Sequence, residues 1–223
     1  VIIFTFGFWA VAGLIPPPSP HDSAEQIARF YAENATRIRT GLVISCIGAA
    51  MAYPWAAVIA VQMRRIEGRW NPLALTELGS GLALGLIFMY PMVLMSVAAY
   101  RPAEIDPHIT QVVNDMAWIG LIWVGPPTGI QALAIAIATL RDKRETPVFP
   151  RWVGYFNIWC ALLFIPGLAC IYVKTGPLAW NGVISFWIVL TAFTIWLFVM
   201  TVVLLRAITA QEQEALVLVE QSG

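Results

Sequence analysis

The sequence predicts an all-α polytopic membrane protein, a six-helix transmembrane bundle with a short interfacial helix. Hydrophobic residues fill 59% of its 223 positions and charged residues only 12%, about half the charged share of a soluble domain. The apolar residues also lie in long unbroken runs separated by short polar loops. A soluble domain of this composition would lack a polar shell, so lipid is the expected solvent.

A span needs roughly 20 apolar residues. Six segments meet or approach that length, at about 1–15, 37–63, 73–100, 109–140, 152–173 and 180–206. In hydrocarbon the backbone must satisfy its own hydrogen bonds, and runs this long suit helices rather than barrel strands. The first segment is short, so a few residues are expected ahead of Val1. A retained helix is favoured over a signal peptide, because no small-x-small site precedes Pro16-Pro17-Pro18.

Those prolines end the first helix. Asp22 and Ser23, each followed three residues later by Glu25 or Gln26, supply capping-box chemistry for the next one. From Ser23 to about Asn34 this helix is polar on one face and carries Ile27, Phe30 and Tyr31 on the other. It is the predicted interfacial helix, running on into the second span. Pro72 is placed to start the third span. Asp106 and Pro107 suit the N-cap and first position of the fourth. Arg141 to Pro150 forms a charged loop, and Gly176-Pro177 marks a turn before the sixth span. The expected division is one transmembrane domain over 1–208 and a cytoplasmic tail over 209–223, either a short helix or disordered.

Orientation follows from lysine and arginine. Arg64, Arg65, Arg69, Arg141, Lys143, Arg144, Arg151 and Arg206 fall on one side, and Arg29, Arg37, Arg39, Arg101 and Lys174 on the other. Eight against five, with the eight in short loops, predicts both termini in the cytoplasm.

Several function classes lose support. The 13 Lys and Arg residues balance 13 Asp and Glu residues, so no basic excess argues for nucleic acid. His21 and His108 are the only histidines, and both fall near the outer interface. A haem or a carboxylate–histidine metal pair needs such ligands inside the bundle. Cys46, Cys160 and Cys170 lie singly in apolar runs and read as packing residues. Zinc-protease, serine-hydrolase and nucleotide-loop motifs are absent from the sequence. No catalytic residue, metal site or cofactor is predicted. Gly81 and Gly85, four apart in an apolar helix, read as a packing face.

One polar zone stands out. Asp115 lies roughly two turns into the fourth span, on the order of 10–13 Å from its start. Asn114 is beside it, and Trp118 follows on the same face. Arg37 and Arg39 open the second span on the same outer side, and Arg101 closes the third, followed by Glu104. An Asp115–arginine pair there would bind a polar head group or relay protons. The simpler alternative is a structural ion pair near a helix end. Glu77, near the start of the third span, is explained by its favourable place at a helix N-terminus. Prolines interrupt spans two to five, most strongly at Gly125-Pro126-Pro127-Thr128-Gly129. Broken helices can line a substrate site, or simply shape the bundle. The candidate ligand-binding set is therefore Asp115, Asn114, Trp118, Arg37, Arg39, Arg101, Glu104, Pro126 and Pro127.

Two stretches carry a family resemblance. One is Phe30-Tyr31-Ala32-Glu33-Asn34 leading to Arg37-Ile38-Arg39-Thr40-Gly41. The other is Val148-Phe149-Pro150-Arg151-Trp152-Val153-Gly154-Tyr155-Phe156-Asn157. Together they resemble a group of bacterial multi-pass membrane proteins of about this length that has no assigned activity. The resemblance implies the same helical fold and a bacterial inner-membrane location, and transfers no site residue. Read physically, Asn157 lies one turn inside the fifth span, where it can bond a neighbouring helix.

Three functions are compatible with these features. The first is a carrier or binding protein for a small apolar or amphipathic molecule, with a cavity near Asp115, Trp118 and the Gly-Pro-Pro break. The second is an accessory or assembly subunit of a larger membrane complex. The third is a membrane-embedded enzyme using carboxylates such as Asp115 with Glu104 or Asp106. The expected partners are the lipid bilayer and either a small hydrophobic ligand or other membrane subunits, with no nucleic acid.

Overall fold

The computed structural model describes residues 2–102 and 104–222. Val1 of the first segment and Gly223 of the tail lie outside them. Every regular element among the described residues is helical. Five segments are long and apolar enough to cross a bilayer: Ala24–Glu67, Pro72–Tyr100, Pro107–Arg141, Arg151–Ile171 and Val183–Val217. A shorter apolar helix, α1, covers Ile2–Val11.

The first long segment is two helices, α2 (Ala24–Ala50) and α3 (Ala52–Glu67), joined at Met51. Pro54 has no N–H to offer the carbonyl four residues back, which accounts for the joint. At the start of α2 the capping box forms with Gln26. Ser23 Oγ accepts from the Gln26 N–H at 3.3 Å, and Gln26 Oε1 accepts from the Ser23 N–H at 2.7 Å. The helix runs without interruption from this cap through the region expected at the interface.

Helix α4 (Pro72–Tyr100) starts on Pro72 as predicted and stays helical through Pro91. Its first turn is also capped from outside, where the Glu67 carboxylate accepts from the N–H groups of Leu73 and Ala74 at 3.2 and 2.7 Å. The fourth segment divides into α5 (Pro107–Ile122) and α6 (Gly125–Arg141) at Trp123-Val124. Asp106 caps α5 by accepting from the His108 N–H at 2.8 Å. Two prolines in the first turn of α6 remove two donors and cause the break. Thr128 reinforces the restart, its N–H and its hydroxyl both donating to Val124 O, at 3.3 and 2.7 Å.

Helix α7 (Arg151–Phe164) ends where Pro166 interrupts it, and a 3₁₀ turn continues over Pro166–Ile171. Helix α8 (Val189–Ser222) follows a π-helical turn over Val183–Ile188. The expected tail thus continues as helix. It is tied to α3 by Arg65–Glu214 at 2.7 Å and by Gln62–Gln211 at 2.8 Å.

Polar groups join the helices at depth. The Trp196 indole N–H donates to Asn157 Oδ1 at 2.8 Å, linking α8 to α7. Trp55 donates to Thr201 Oγ1 at 3.1 Å, linking α3 to α8. Small residues permit the closest approaches. Gly81 faces Ala56 and Gln131, and Gly85 faces the Tyr53 ring, as their spacing predicted. Helix α1 lies backbone-to-backbone on α2 through Gly7, Gly41 and Gly48, where a side chain at any of the three would strike the opposite backbone.

Candidate functional site

A cleft of about 620 Å³ opens between α1 and α8. One wall comes from Phe4, Phe8 and Trp9 of α1, the other from Leu190, Phe193 and Leu197 of α8. Leu84 and Phe88 of α4 contribute to its lining, as do Leu121, Ile122 and Val124 beside the Gly-Pro-Pro break. Three helix joints meet here: the Met51 junction, the Trp123-Val124 break and the π turn before α8 all contribute residues.

The cleft is chemically plain. Ser185, Thr194 and Thr201 line it, but each hydroxyl donates to a backbone carbonyl, Leu178 O, Leu190 O and Leu197 O, at 2.7–2.8 Å. Such bonds occupy three of the donors; Thr5 and Thr191 add two more hydroxyls, and the rest of the wall is carbon and aromatic ring. Phe88 and Phe193 rings meet at 5.3 Å, and Phe4 and Phe88 at 5.2 Å. The rim is apolar and exposed at Trp9, Met51, Trp187 and Ile195. An apolar rim admits a guest from hydrocarbon more readily than from water.

The predicted polar zone divides into two parts. Asn114 and Trp118 are fully buried and Asp115 is half-buried. Asn114 accepts from the Tyr31 hydroxyl at 3.2 Å and donates to Asp115 Oδ1 at 3.4 Å. Trp118 stands directly behind the cleft. Its ring makes edge contacts with Phe8 at 6.0 Å and Phe186 at 6.2 Å, both of which line the cleft. Asp115, Asn114 and Trp118 themselves are not among the lining residues. Trp118 backs the cleft wall, whereas Asn114 and Asp115 lie one turn earlier on α5.

The predicted arginines are elsewhere. The Arg37 guanidinium lies over Gly13, occupying the place a side chain there would take. Arg39 turns back on its own helix, donating to Ala35 O at 3.2 Å and Thr36 Oγ1 at 3.4 Å. Arg101 reaches Glu104 at 4.0 Å, with side chains 62% and 72% exposed. No ion pair joins Asp115 to an arginine among the described residues. A long side chain at a helix end has carbonyls and water within reach, which compete with a partner across the bundle. Pro126 is exposed and Pro127 half-buried at the start of α6, two and three residues beyond the cleft lining at Val124.

Trp180 is buried and donates its N–H to Pro18 O at 2.9 Å. It pins the loop before α8 to the chain that follows α1. Glu77 is fully buried and accepts from Gln131 Nε2 at 2.8 Å. Its place near a helix N-terminus does not account for that burial. The missed signal is Gln131, a polar side chain in an otherwise apolar stretch of α6. No protein-family model, curated protein or solved structure matches this chain.

Proposed function

We propose that this protein binds or carries a small apolar or amphipathic molecule, held in the cleft between α1 and α8. The observation that carries the reading is the apolar, aromatic-walled cleft of about 620 Å³. A site of that size suits a drug-sized or lipid-like guest. Three of its five lining hydroxyls are already engaged, so recognition rests mainly on shape and apolar burial, worth roughly 25 cal/mol per Å² removed from water. Because the rim is apolar, the guest reaches the site sideways from the bilayer.

The topology belongs to the same proposal. The chain makes six crossings, with α1 as the first and α2–α3, α4, α5–α6, α7 with its 3₁₀ turn, and α8 as the rest. The 44 residues from Ala24 to Glu67 would span roughly 66 Å if straight, about twice the hydrocarbon thickness. That excess supports an outer interfacial section at the start of α2, where Glu25, Gln26 and Arg29 are exposed. The charge bias supports both termini in the cytoplasm, and the resemblance to bacterial multi-pass proteins supports an inner-membrane location.

The test compares wild type with Ala52→Trp, which sets an indole on the cleft wall. Organic extracts of both purified proteins are analysed by mass spectrometry. A defined apolar compound retained by wild type and lost from the variant is the expected result. Equal retention by both would remove the cleft as the binding site.

A further inference from the structure

Among the described residues, three buried side-chain atoms lack a hydrogen-bond partner: Glu77 Oε2, Gln131 Oε1 and Trp118 Nε1. Two of the three belong to the two partners of a single hydrogen bond, Gln131 Nε2 to Glu77 Oε1 at 2.8 Å. Both unsatisfied atoms are acceptors. Rotating the Gln131 amide by half a turn exchanges its oxygen and nitrogen and still leaves two oxygens without a donor. One proton removes the deficit. A hydroxyl at Oε2 can donate to Gln131 Oε1, closing a cyclic acid–amide pair with two parallel hydrogen bonds.

We infer that Glu77 and Gln131 form a proton-binding site that clasps α4 to α6. The ligand is a proton rather than a metal ion, because a hard cation takes roughly six oxygens and this pair has three, one of them already bonded. The pair also fits its setting. Gly81, one turn beyond Glu77, packs against Ala56 and the Gln131 amide, so α3 closes the site with a methyl group.

Charged groups on the packed elements are engaged or distant along the chain. On α3, Arg65 bonds Glu214 and Gln62, Glu67 caps α4, Arg64 is exposed, and the Tyr53 hydroxyl bonds Met89 Sδ. On α6 the ionisable residue is Arg141, ten positions beyond Gln131. Tyr90 and Tyr100 lie further along α4. Glu77 has no ion pair among the described residues. Releasing the proton to water deletes one of the two bonds and leaves an unpaired charge between α4 and α6. Packing of these helices is thereby linked to occupancy by the proton. Glu77 lies five residues into α4, on the order of 8 Å from its start, so the path to water is short. This inference is independent of the cleft and its guest.

The experiment is infrared spectroscopy of the full chain in lipid at about pH 7, comparing wild type with Glu77→Gln. Wild type is expected to show the carbonyl stretch of a protonated carboxylic acid, and the variant to lose that band. Glu77→Gln is also expected to fold and melt like wild type, because a neutral amide reproduces both bonds. Thermal melting of Glu77→Gln with and without added sodium checks the alternative occupant. An absent acid band, a Glu77→Gln chain that fails to fold, or sodium-dependent stability in wild type that the variant lacks would each overturn the assignment.

Discussion

Replacing Gly48 by alanine should loosen α1, and the size of the effect follows from the contact geometry. A Cβ at Gly48 would stand 2.5 Å from the Phe4 nitrogen and 2.8 Å from its Cα. Ordinary carbon contacts are ~3.5–4.0 Å. The obstructing atoms are backbone, so no side-chain rotation relieves the clash, and α1 must retreat by about 1 Å. Overpacking of this kind costs about 1–3 kcal/mol. Gly79 provides a control of opposite sign, because nothing lies within 4 Å of a Cβ there. Gly79→Ala should stabilise by about 0.5–1 kcal/mol through helix propensity. Reversible denaturation of both variants in one detergent reads the two shifts. The Gly48→Ala protein should also retain less of any cleft-bound compound, since α1 forms one wall. Equal stability of wild type and Gly48→Ala, or destabilisation by Gly79→Ala to the same degree, would refute the close α1–α2 contact.

Three further outcomes follow from the polar contacts. Asn157→Ala removes the acceptor of the Trp196 N–H and should cost about 0.6–2 kcal/mol, the range for bonds between membrane helices, measured by the same denaturation. Burial alone would raise the Asp142 carboxyl, but hydrogen bonds from Arg144 and from the N–H groups of Val148 and Arg144 outweigh it and hold the group below its ordinary range. A lowered folded pKa means its contribution is complete above the unfolded value of about 4 and is lost as pH falls through the folded one. Proteolysis of the 142–148 loop should therefore accelerate in acid in wild type, and Asp142→Asn should show the faster cleavage already at neutral pH. Glu214→Ala breaks a partly exposed ion pair and should shift the melting midpoint by less than about 1 kcal/mol in stability. Cleavage within the C-terminal end of α8 should nonetheless speed up, because Arg65–Glu214 helps tie that end to α3.

Features that act along one helix were readable from the chain alone. Ser23, Pro72 and Asp106 cap or start the helices they were expected to start, because capping depends on residues within one turn. Asn157 reaches a neighbouring helix because a buried amide in an apolar run has few other partners. Features that depend on which faces meet were not readable. Glu77 and Gln131 are 54 positions apart, and helical position alone gave Glu77 a sufficient but incomplete explanation. Gly7, Gly41 and Gly48 have no spacing that marks them as one contact, since they lie on two helices. Trp180 and Pro18 are 162 positions apart, and no local pattern marks the contact that the turn around Gly176 and Pro177 allows. Of the candidate site, the Gly-Pro-Pro break lies beside the cleft, whereas the arginines turn to nearer partners.

The most direct test of the binding reading is native mass spectrometry of the full chain extracted gently from its own membrane. A lone protein carrying one defined apolar molecule, absent from Ala52→Trp, is the predicted result. A chain that carries no such molecule and is recovered in stoichiometric complex with other polypeptides would contradict the carrier reading and favour an accessory subunit.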